Sequence, residues 1–589
     1  MGSARFLQTA HSLSAHPISV AEFSKALLQR WSPQRDGQDT LGLAISGGVD
    51  SMALAALCSR LRNHCYSYNQ SGTKGELLER ETLSLLKIQA FIVDHGLRSG
   101  SGVEAEAVSK ILKGRDIRTR VLKMDWPGQE FPASLPNFES LARKYRFRLL
   151  GRACRDLGIS SLLLAHHEDD QVETVFMRLA GGQGAKGLAG MQSPAGIPEC
   201  YGIHGVYESG GYNNTTGENI DRRQRLDPAA VGWSRPDSLF KNQLPIEAGG
   251  IQIYRPFLNF SKARLIATCM AENMEWFEDP TNAEPTTTKR NAIRHMYMNH
   301  SMPAALTKPA LLALSMRLND KAAHRSDIVE FWLARCKITH FETRTGTVKL
   351  RFADLTQFHK SNNVSLPADA AWVAAELLRR VIQLVMPLEQ VNSSSLHNAV
   401  QRVFPEASQQ GKQCLQSTAF TASGVYFQPV LVIHPKDTSL DVISQKSQWI
   451  LSRQPYISGS LPMLQLGYPS NSYHWSPWHL YDGRYWIRVQ HPRTASLFVQ
   501  PFMKDHVGDF RASLVKSDRL RLIRTLRTMA PGIIRWTLPA IVRKEENGKV
   551  TLIALPSLNL SIPESGVKWE IRYKKISHSH LLGRDICQE

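Results

Sequence analysis

Apolar residues fall along the first third of this chain in two alternating textures. Short runs, Leu41–Ser46, Ile88–Asp94, Ile117–Met124 and Ser161–His166, have the length and content of buried strands. Elsewhere apolar positions recur every three or four residues, as on one face of a helix, near Asp50–Arg62, Gly102–Lys113, Asn137–Leu157 and Glu168–Leu179. Ahead of them, Val20, Phe23, Leu27 and Leu28 share one side of an opening helix from Pro17 to Trp31. Alternation of this kind predicts an α/β fold, a parallel sheet with helices on both faces. Ligands of such sheets sit at the carboxyl ends of the strands, which is where Ser46, Asp94 and His166 fall.

The pattern breaks between Glu199 and Gly250. The stretch YESGGYNNTTGENIDRRQRLDPAAVG is polar, glycine-rich and without periodicity, which predicts a surface insertion that is largely disordered. Ile251–Phe257 reads as a further strand, and Ser261 as the cap of a helix running to about Asn273. Past His300, helical spacing occupies roughly Ala304–Arg335 and Ala368–Val385. From about Thr343 onward, β-rich stretches such as YWIRVQ, KVTLIALP and VKWEIRYK alternate with turns.

Length and charge narrow the function. A chain of 589 residues needs more than one core. A formal net charge of +19 suits a polyanionic partner, nucleic acid before membrane. No apolar run is long enough to span a bilayer. The eight cysteines are scattered, with no C-x-x-C, which argues against a zinc ribbon, an iron–sulfur site or a disulfide framework. The first sixteen residues contain no acid, one arginine and several serines. That is the composition of a mitochondrial targeting segment; the other expectation is a cytoplasmic protein. Nothing in the sequence sets the oligomeric state, and a homodimer is one expectation.

Between the first strand and the helix after it stands Ser46-Gly47-Gly48-Val49-Asp50-Ser51. Glycine supplies the backbone angles of a tight strand-to-helix turn. The unpaired N–H groups of the new helix, with its dipole, form an anion site suited to phosphate. Ser46 and Ser51 add hydroxyls, and Asp50 is placed to orient the loop or to hold a metal beside phosphates. A plain capped turn has the same local composition. The lysine of a Walker-type loop is missing. The motif resembles the pyrophosphatase loop, or PP-loop, of enzymes that cleave ATP between its α and β phosphates and adenylate an oxygen.

A second cluster follows the fourth strand in HHEDDQVET, His166 to Thr174. Asp170 and Glu173, three positions apart, share one helix face. Such a pair suits a cationic amine or Mg²⁺, although acids in a first helical turn also serve as simple caps. Together with VDHGLR (Val93–Arg98), ESLARKYRF (Glu139–Phe147), GLAGM, RPFL, WFEDPTN (Trp276–Asn282) and RNAIRH (Arg290–His295), these motifs occur in the order found in tRNA(Ile)-lysidine synthetases. The resemblance covers about half of the chain. It implies a PP-loop domain at 36–300, of the adenine nucleotide alpha-hydrolase type, with 199–250 as an insertion. Around it stand an N-terminal extension and opening helix (1–35), a helical region (301–400) and a mixed α+β, tRNA-binding C-terminal region (401–589).

The implied reaction uses ATP and Mg²⁺ to adenylate the C2 oxygen of the wobble cytidine in a CAU-anticodon isoleucine tRNA. The ε-amine of free L-lysine then displaces AMP. In that scheme Ser46, Gly47, Gly48, Val49, Asp50 and Ser51 bind ATP, and Asp50 also holds the metal. Asp170 and Glu173 bind lysine. His95 or His167 serves as base, and Arg143 and Arg294 steady phosphate or the adenylate; each has an equally plain structural reading as a strand-end histidine or a surface ion pair. In Arg511–Met529, Leu514, Leu520, Ile523 and Leu526 are the expected buried stripe. Arg519, Arg521, Arg524 and Arg527 are then left for the tRNA backbone or for solvent. The rival readings are a thiolating PP-loop enzyme, an amide-forming ligase and a catalytically silent tRNA-binding protein.

Overall fold

A computed structural model describes residues 15–32, 40–67, 83, 85–97, 100–126, 138–213, 219–220, 243–278, 288–355, 367–386, 391–405, 418–430, 448–457, 459–466, 474–491, 496–545, 548–563 and 565–576. The chain divides into two compact units. The first comprises Met1–Tyr201, Gly205–Tyr207 and Gly250–His324, and the second Gly202–His204, Glu208–Gly249 and Arg325–Glu589.

The first unit is built on the expected parallel sheet. Strands β1 (Thr40–Ile45), β2 (Lys87–Asp94), β3 (Arg118–Lys123) and β4 (Ser161–Leu163) lie in the order β3-β2-β1-β4. Gln252–Tyr254 continues the sheet in parallel beside β4, and Ala195–Gly196 closes that edge antiparallel. Leu41 pairs with Ile88 on one side and with Ser161 on the other, so β1 is central. This is the strand whose carboxyl end feeds the Ser46–Ser51 loop. Helix Val49–Ser67 follows it, with Met52 through Leu57 all fully buried. These turns are apolar on every side and show no solvent face, whereas Arg60 further along the helix is exposed.

The opening helix, Val20–Leu28, belongs to this unit and is not a separate extension. Phe23, Leu27 and Trp31 enter the same core as Leu41 and Leu57. Trp31 Nε1 donates to Ser161 Oγ at 3.2 Å.

Two expectations about organisation are corrected. Parts of the insertion are ordered and serve the second unit. Gly210–Asn213 and Ile246–Gly249 pair antiparallel, and Ile246 pairs in parallel with Tyr573 near the far end of the chain. Glu247 is buried there and accepts from Gly210 N–H at 2.8 Å and from Arg572 at 3.2 Å. Residues 214–218 and 221–242 of the insertion lie outside the described residues. Nor is the 301–400 region helical throughout. Lys337–Glu342 and Thr347–Arg351 form an antiparallel hairpin between helices Lys308–Leu333 and Pro367–Val385. Its turn needs Gly346, at φ +63°, where a Cβ would stand 2.9 Å from the Tyr573 hydroxyl.

The rest of the second unit is antiparallel. Five strands run from the Lys337 hairpin through Gln448–Arg453 and Val425–Val430 to Phe420–Ala422. A second five-stranded sheet holds Pro539–Lys544 and Val550–Leu555, and a third of six strands holds Tyr485–Gln490 and Lys568–Tyr573.

Candidate active site

The carboxyl ends of β1, β2 and β4 open onto a cleft of about 670 Å³ in the first unit. Ser46, Gly48, Asp50, Ser51, Asp94, His95, His166 and Asp170 line it, as the strand order required. The loop is tied to itself. Ser51 Oγ donates to the Gly48 carbonyl at 2.9 Å and accepts from Ser46 N–H at 3.2 Å. Gly47 stands at φ +85°, and a Cβ there would meet Val108 at 2.9 Å, so only glycine fits. Its carbonyl accepts from Phe277 N–H at 3.0 Å, which fastens WFEDPTN to the loop. Asp279 through Asn282 of that motif lie outside the described residues.

Asp50 stands at the cleft's electrostatic centre. Its Oδ2 lies 3.6 Å from His167 Nε2 and 3.8 Å from Lys262 Nζ. Burial opposes ionisation of Asp50, but His167, Lys262 and Arg294 outweigh it and hold the carboxyl below its usual range. The other oxygen, Oδ1, is buried with no hydrogen-bond partner. A buried anionic oxygen left unpaired is costly, and a cation bound with phosphate would satisfy it. Asp50 therefore fits a Mg²⁺ role. Among the described residues no group of three His, Cys, Asp or Glu side chains is arranged to hold a metal alone, so phosphate oxygens would complete any such site.

His167 caps helix Glu168–Ala180 in an unusual way. Its Nδ1 accepts from Asp169 N–H at 3.2 Å, and its backbone N–H donates to Asp170 Oδ2 at 3.0 Å. The ring is 2% exposed. Burial disfavours its charged form, but Asp50 and Asp170 more than offset that and raise its pKa. With Nδ1 accepting, Nε2 carries the proton and faces Asp50 and Asp170, at 3.6 and 3.5 Å. Such a histidine orients carboxylates, and of the two expected bases His95 lines the cleft while His167 does not. His95 lines the cleft at the end of β2, and Trp126 Nε1 donates to its carbonyl at 2.8 Å. His166 lines it too. Burial, with Arg255 acting against Asp170, pushes its pKa down to about 3, so it is neutral. Its Nδ1 accepts from Arg255 Nε at 3.3 Å.

Asp170 and Glu173 share the inner face of that helix, as their spacing predicted, but their surroundings differ. Asp170 reaches the cleft. Glu173, 3% exposed, accepts from Arg294 at both oxygens, at 2.5 and 3.2 Å. Burial nevertheless raises its pKa, against the pull of Arg294. Arg143 does not line the cleft. It pairs with Glu199 at 3.5 Å and lies over the Phe147 ring. One helical turn on, Arg146 takes the cleft position, its pKa brought down to about 10 by burial and by the charges of Arg143 and Arg290. Arg290, Trp276 and Phe277, from motifs the sequence singled out without assigning these residues a role, and Lys262, which it missed, complete the wall. Arg290 and Arg294 lie four apart in RNAIRH, a spacing that puts both on one face; Lys262 carried no such signal. Cys58, Cys154, Cys200, Cys269 and Cys336 carry free thiols, and none of these five lines the cleft.

In the second unit, helix Lys516–Thr528 exposes Arg519, Arg521, Arg524 and Arg527. Its buried stripe is Leu522 and Leu526, with Leu514 just before the helix, while Leu520 is 65% exposed. Arg519 also donates to the Leu514 and Ala512 carbonyls.

Comparison with known proteins agrees with the geometry. Residues 19–204 and 238–301 match the PP-loop domain family. A probable tRNA(Ile)-lysidine synthase of Schizosaccharomyces pombe is 26% identical over 550 residues, 92% of this chain and 96% of its own. A tRNA(Ile)-lysidine synthase of Methylobacterium nodulans is 30% identical over 311 residues, 53% of this chain and 68% of its own. Among solved structures, the U34-tRNA thiolase NcsA of Methanococcus maripaludis, with its [4Fe-4S] cluster, overlays 51% of this chain and 79% of its own at a TM-score of 0.31 and 15% identity.

Proposed function

This chain belongs to the tRNA(Ile)-lysidine synthase family, and we propose on that premise that it joins free L-lysine to C2 of the wobble cytidine in a CAU-anticodon isoleucine tRNA, using ATP. The observation that carries the reading is the single cleft in which the Ser46–Ser51 loop, the unpaired Asp50 oxygen and the Asp170 carboxylate converge. Thiolation has no support there, since none of Cys58, Cys154, Cys200, Cys269 and Cys336 lines that cleft.

The chemistry assigns a task to each residue. The cytidine C2 oxygen attacks the α-phosphorus of ATP, and pyrophosphate leaves. The lysine ε-amine, having lost its proton, attacks C2, and AMP leaves with the oxygen. Loop N–H groups and the hydroxyls of Ser46 and Ser51 suit the departing pyrophosphate. Arg146 and Arg290 face charge that builds up during the transfer, where preorganised donors act most strongly. Asp50 would hold Mg²⁺, which when bound neutralises phosphate charge. His167 fixes the Asp50 and Asp170 carboxylates. Asp170 and Glu173 receive the lysine amines, and His95 is the proposed base.

The basic helix Lys516–Thr528 is the proposed tRNA-backbone contact, supported by its four outward arginines. Import into mitochondria is proposed on the acid-free first sixteen residues, of which 1–14 lie outside the described residues. A homodimer is carried as a proposal for sedimentation to test. The decisive experiment supplies unmodified CAU-anticodon isoleucine tRNA, ATP and isotope-labelled lysine, followed by nucleoside mass spectrometry. Label on cytidine is the expected result; AMP release without labelled cytidine would sink the reading.

A further inference from the structure

Arg294 sits on the two acids proposed above to receive the lysine amines. Its Nε and Nη2 engage both oxygens of Glu173, and Nη2 stands 3.6 Å from Asp170 Oδ1. A guanidinium fork fits a carboxylate at two points and leaves little room for an ammonium on the same oxygens. Adding lysine beside it would crowd two cations against two acids. Removing Arg294 with nothing in its place would strand Glu173, buried and unpaired, at heavy cost. Departure of the guanidinium and arrival of the amine are therefore tied to one another.

The cleft also gives Arg294 another partner. The residue lines the same cavity as Ser46, Gly48 and Asp50, and its side chain is 33% exposed, so it is not locked in the core. Phosphate oxygens at the loop match the guanidinium fork as well as a carboxylate does. Arg146 and Arg290 already mark this wall as one that meets negative charge.

We propose that Arg294 is an exchangeable counter-ion, which fills the amine subsite in the nucleotide-free chain and is drawn off it by phosphate bound at the Ser46–Ser51 loop. Lysine then binds well only after the nucleotide. Linkage makes the effect mutual, so lysine tightens nucleotide binding by the same factor. The inference rests on Asp170 and Glu173 being the amine subsite.

The test is equilibrium dialysis of labelled L-lysine against the full chain, with and without the α,β-methylene analogue of ATP and Mg²⁺. In the unaltered chain the analogue should tighten lysine binding by about tenfold, within the usual range of site-to-site coupling. Arg294→Gln should bind lysine without nucleotide about as well as the unaltered chain does with it, and should lose the coupling. Arg294→Lys, which keeps the charge without the fork, should show reduced coupling. If the analogue leaves lysine affinity unchanged in the unaltered chain, the exchange is overturned, whether or not the variants fold. Asp170→Asn and Glu173→Gln separate the two ideas. Should both weaken lysine while coupling is absent, the subsite stands and the exchange falls. Should neither change lysine affinity, subsite and exchange fall together.

Discussion

Arg294 in the first unit and Arg484 in the second both hold acids, and they are held in opposite ways. Arg484 is fully buried. It donates to Asp482 at 2.8 Å, to the Thr537 carbonyl at 2.8 Å, and to the Thr345 carbonyl and the Tyr456 hydroxyl at 3.4 Å each. The Tyr485 ring lies 5.0 Å away, and Asp482 is shared with Arg453. Its donors are spent on groups that never leave the fold. Arg294 has a third of its side chain open and faces Asp170 and Glu173 beside a cleft. Residue type and charge are therefore poor guides to role. What separates a framework arginine from a working one is whether its partners are also wanted by a ligand.

The largest effect that sharpens this contrast is expected at the framework. Arg484→Met strands Asp482 with Arg453 alone, and breaking a buried pair costs about 3–5 kcal/mol. Urea denaturation should show the loss; a midpoint within error of the unaltered chain would place Arg484 among dispensable charges.

In the cleft, Asp50→Ala should leave the denaturation curve nearly unchanged but lower AMP formation by roughly 10²–10³-fold, the size seen when one preorganised electrostatic group is removed. Near-normal turnover would end the assignment of the loop.

Asp170→Asn and Glu173→Gln come next. Losing a charge-assisted bond of about 1.5–3 kcal/mol should raise the lysine KM roughly ten- to hundredfold and move the ATP KM little. A normal lysine KM with a changed Mg²⁺ requirement would make these acids metal ligands instead.

Lys574 sharpens the framework side through pH. Burial, with Arg484 nearby, brings its pKa down to about 7, and its ammonium donates to the Met386 carbonyl at 2.6 Å. A depressed pKa means the unfolded chain binds more protons between about 7 and the usual lysine value near 10.4. Stability is then fullest above that upper value, falls as pH drops toward 7 and is flat below it, with a slope no steeper than about 1.4 kcal/mol per pH unit. Lys574→Met should abolish that slope; denaturation midpoints at several pH values would reveal its persistence.

The smallest effect is expected on the open surface. Replacing Arg519, Arg521, Arg524 and Arg527 with glutamine should weaken tRNA binding and lower the salt slope by about one unit per lost contact. Filter binding across a salt series checks this, and an unaltered slope returns the helix to solvent.

What was readable in the sequence follows from where each signal is stored. Strands β1, β2 and β4 are parallel and buried, so they appear as apolar runs, and the motifs at their carboxyl ends follow from topology. The insertion strands carried no such trace. GGYN and IEAG are joined through backbone hydrogen bonds, which side-chain patterning does not report. Helical phase was the other weakness. In LRLIRTL, Leu520 and Leu522 both fit an apolar stripe, and only the packing of Phe510, Leu514 and Leu538 selects Leu522. The same ambiguity exchanged Arg143 for Arg146. The counter-ion at Glu173 comes from a segment 121 residues away, a pairing that local spacing cannot contain.

The strands Gly210–Asn213 and Ile246–Gly249 also set a timetable for synthesis. They leave the ribosome before Gln252–Tyr254, which the parallel sheet needs, but their own sheet includes Lys568–Tyr573, near the very end of the chain. At ordinary translation rates that partner arrives roughly tens of seconds later. A nascent chain thus carries unpaired strand edges through most of its manufacture, and such edges are sites of wrong association. No single cut frees one unit intact either, because removing everything after His324 would leave these strands without the neighbour they were made to meet.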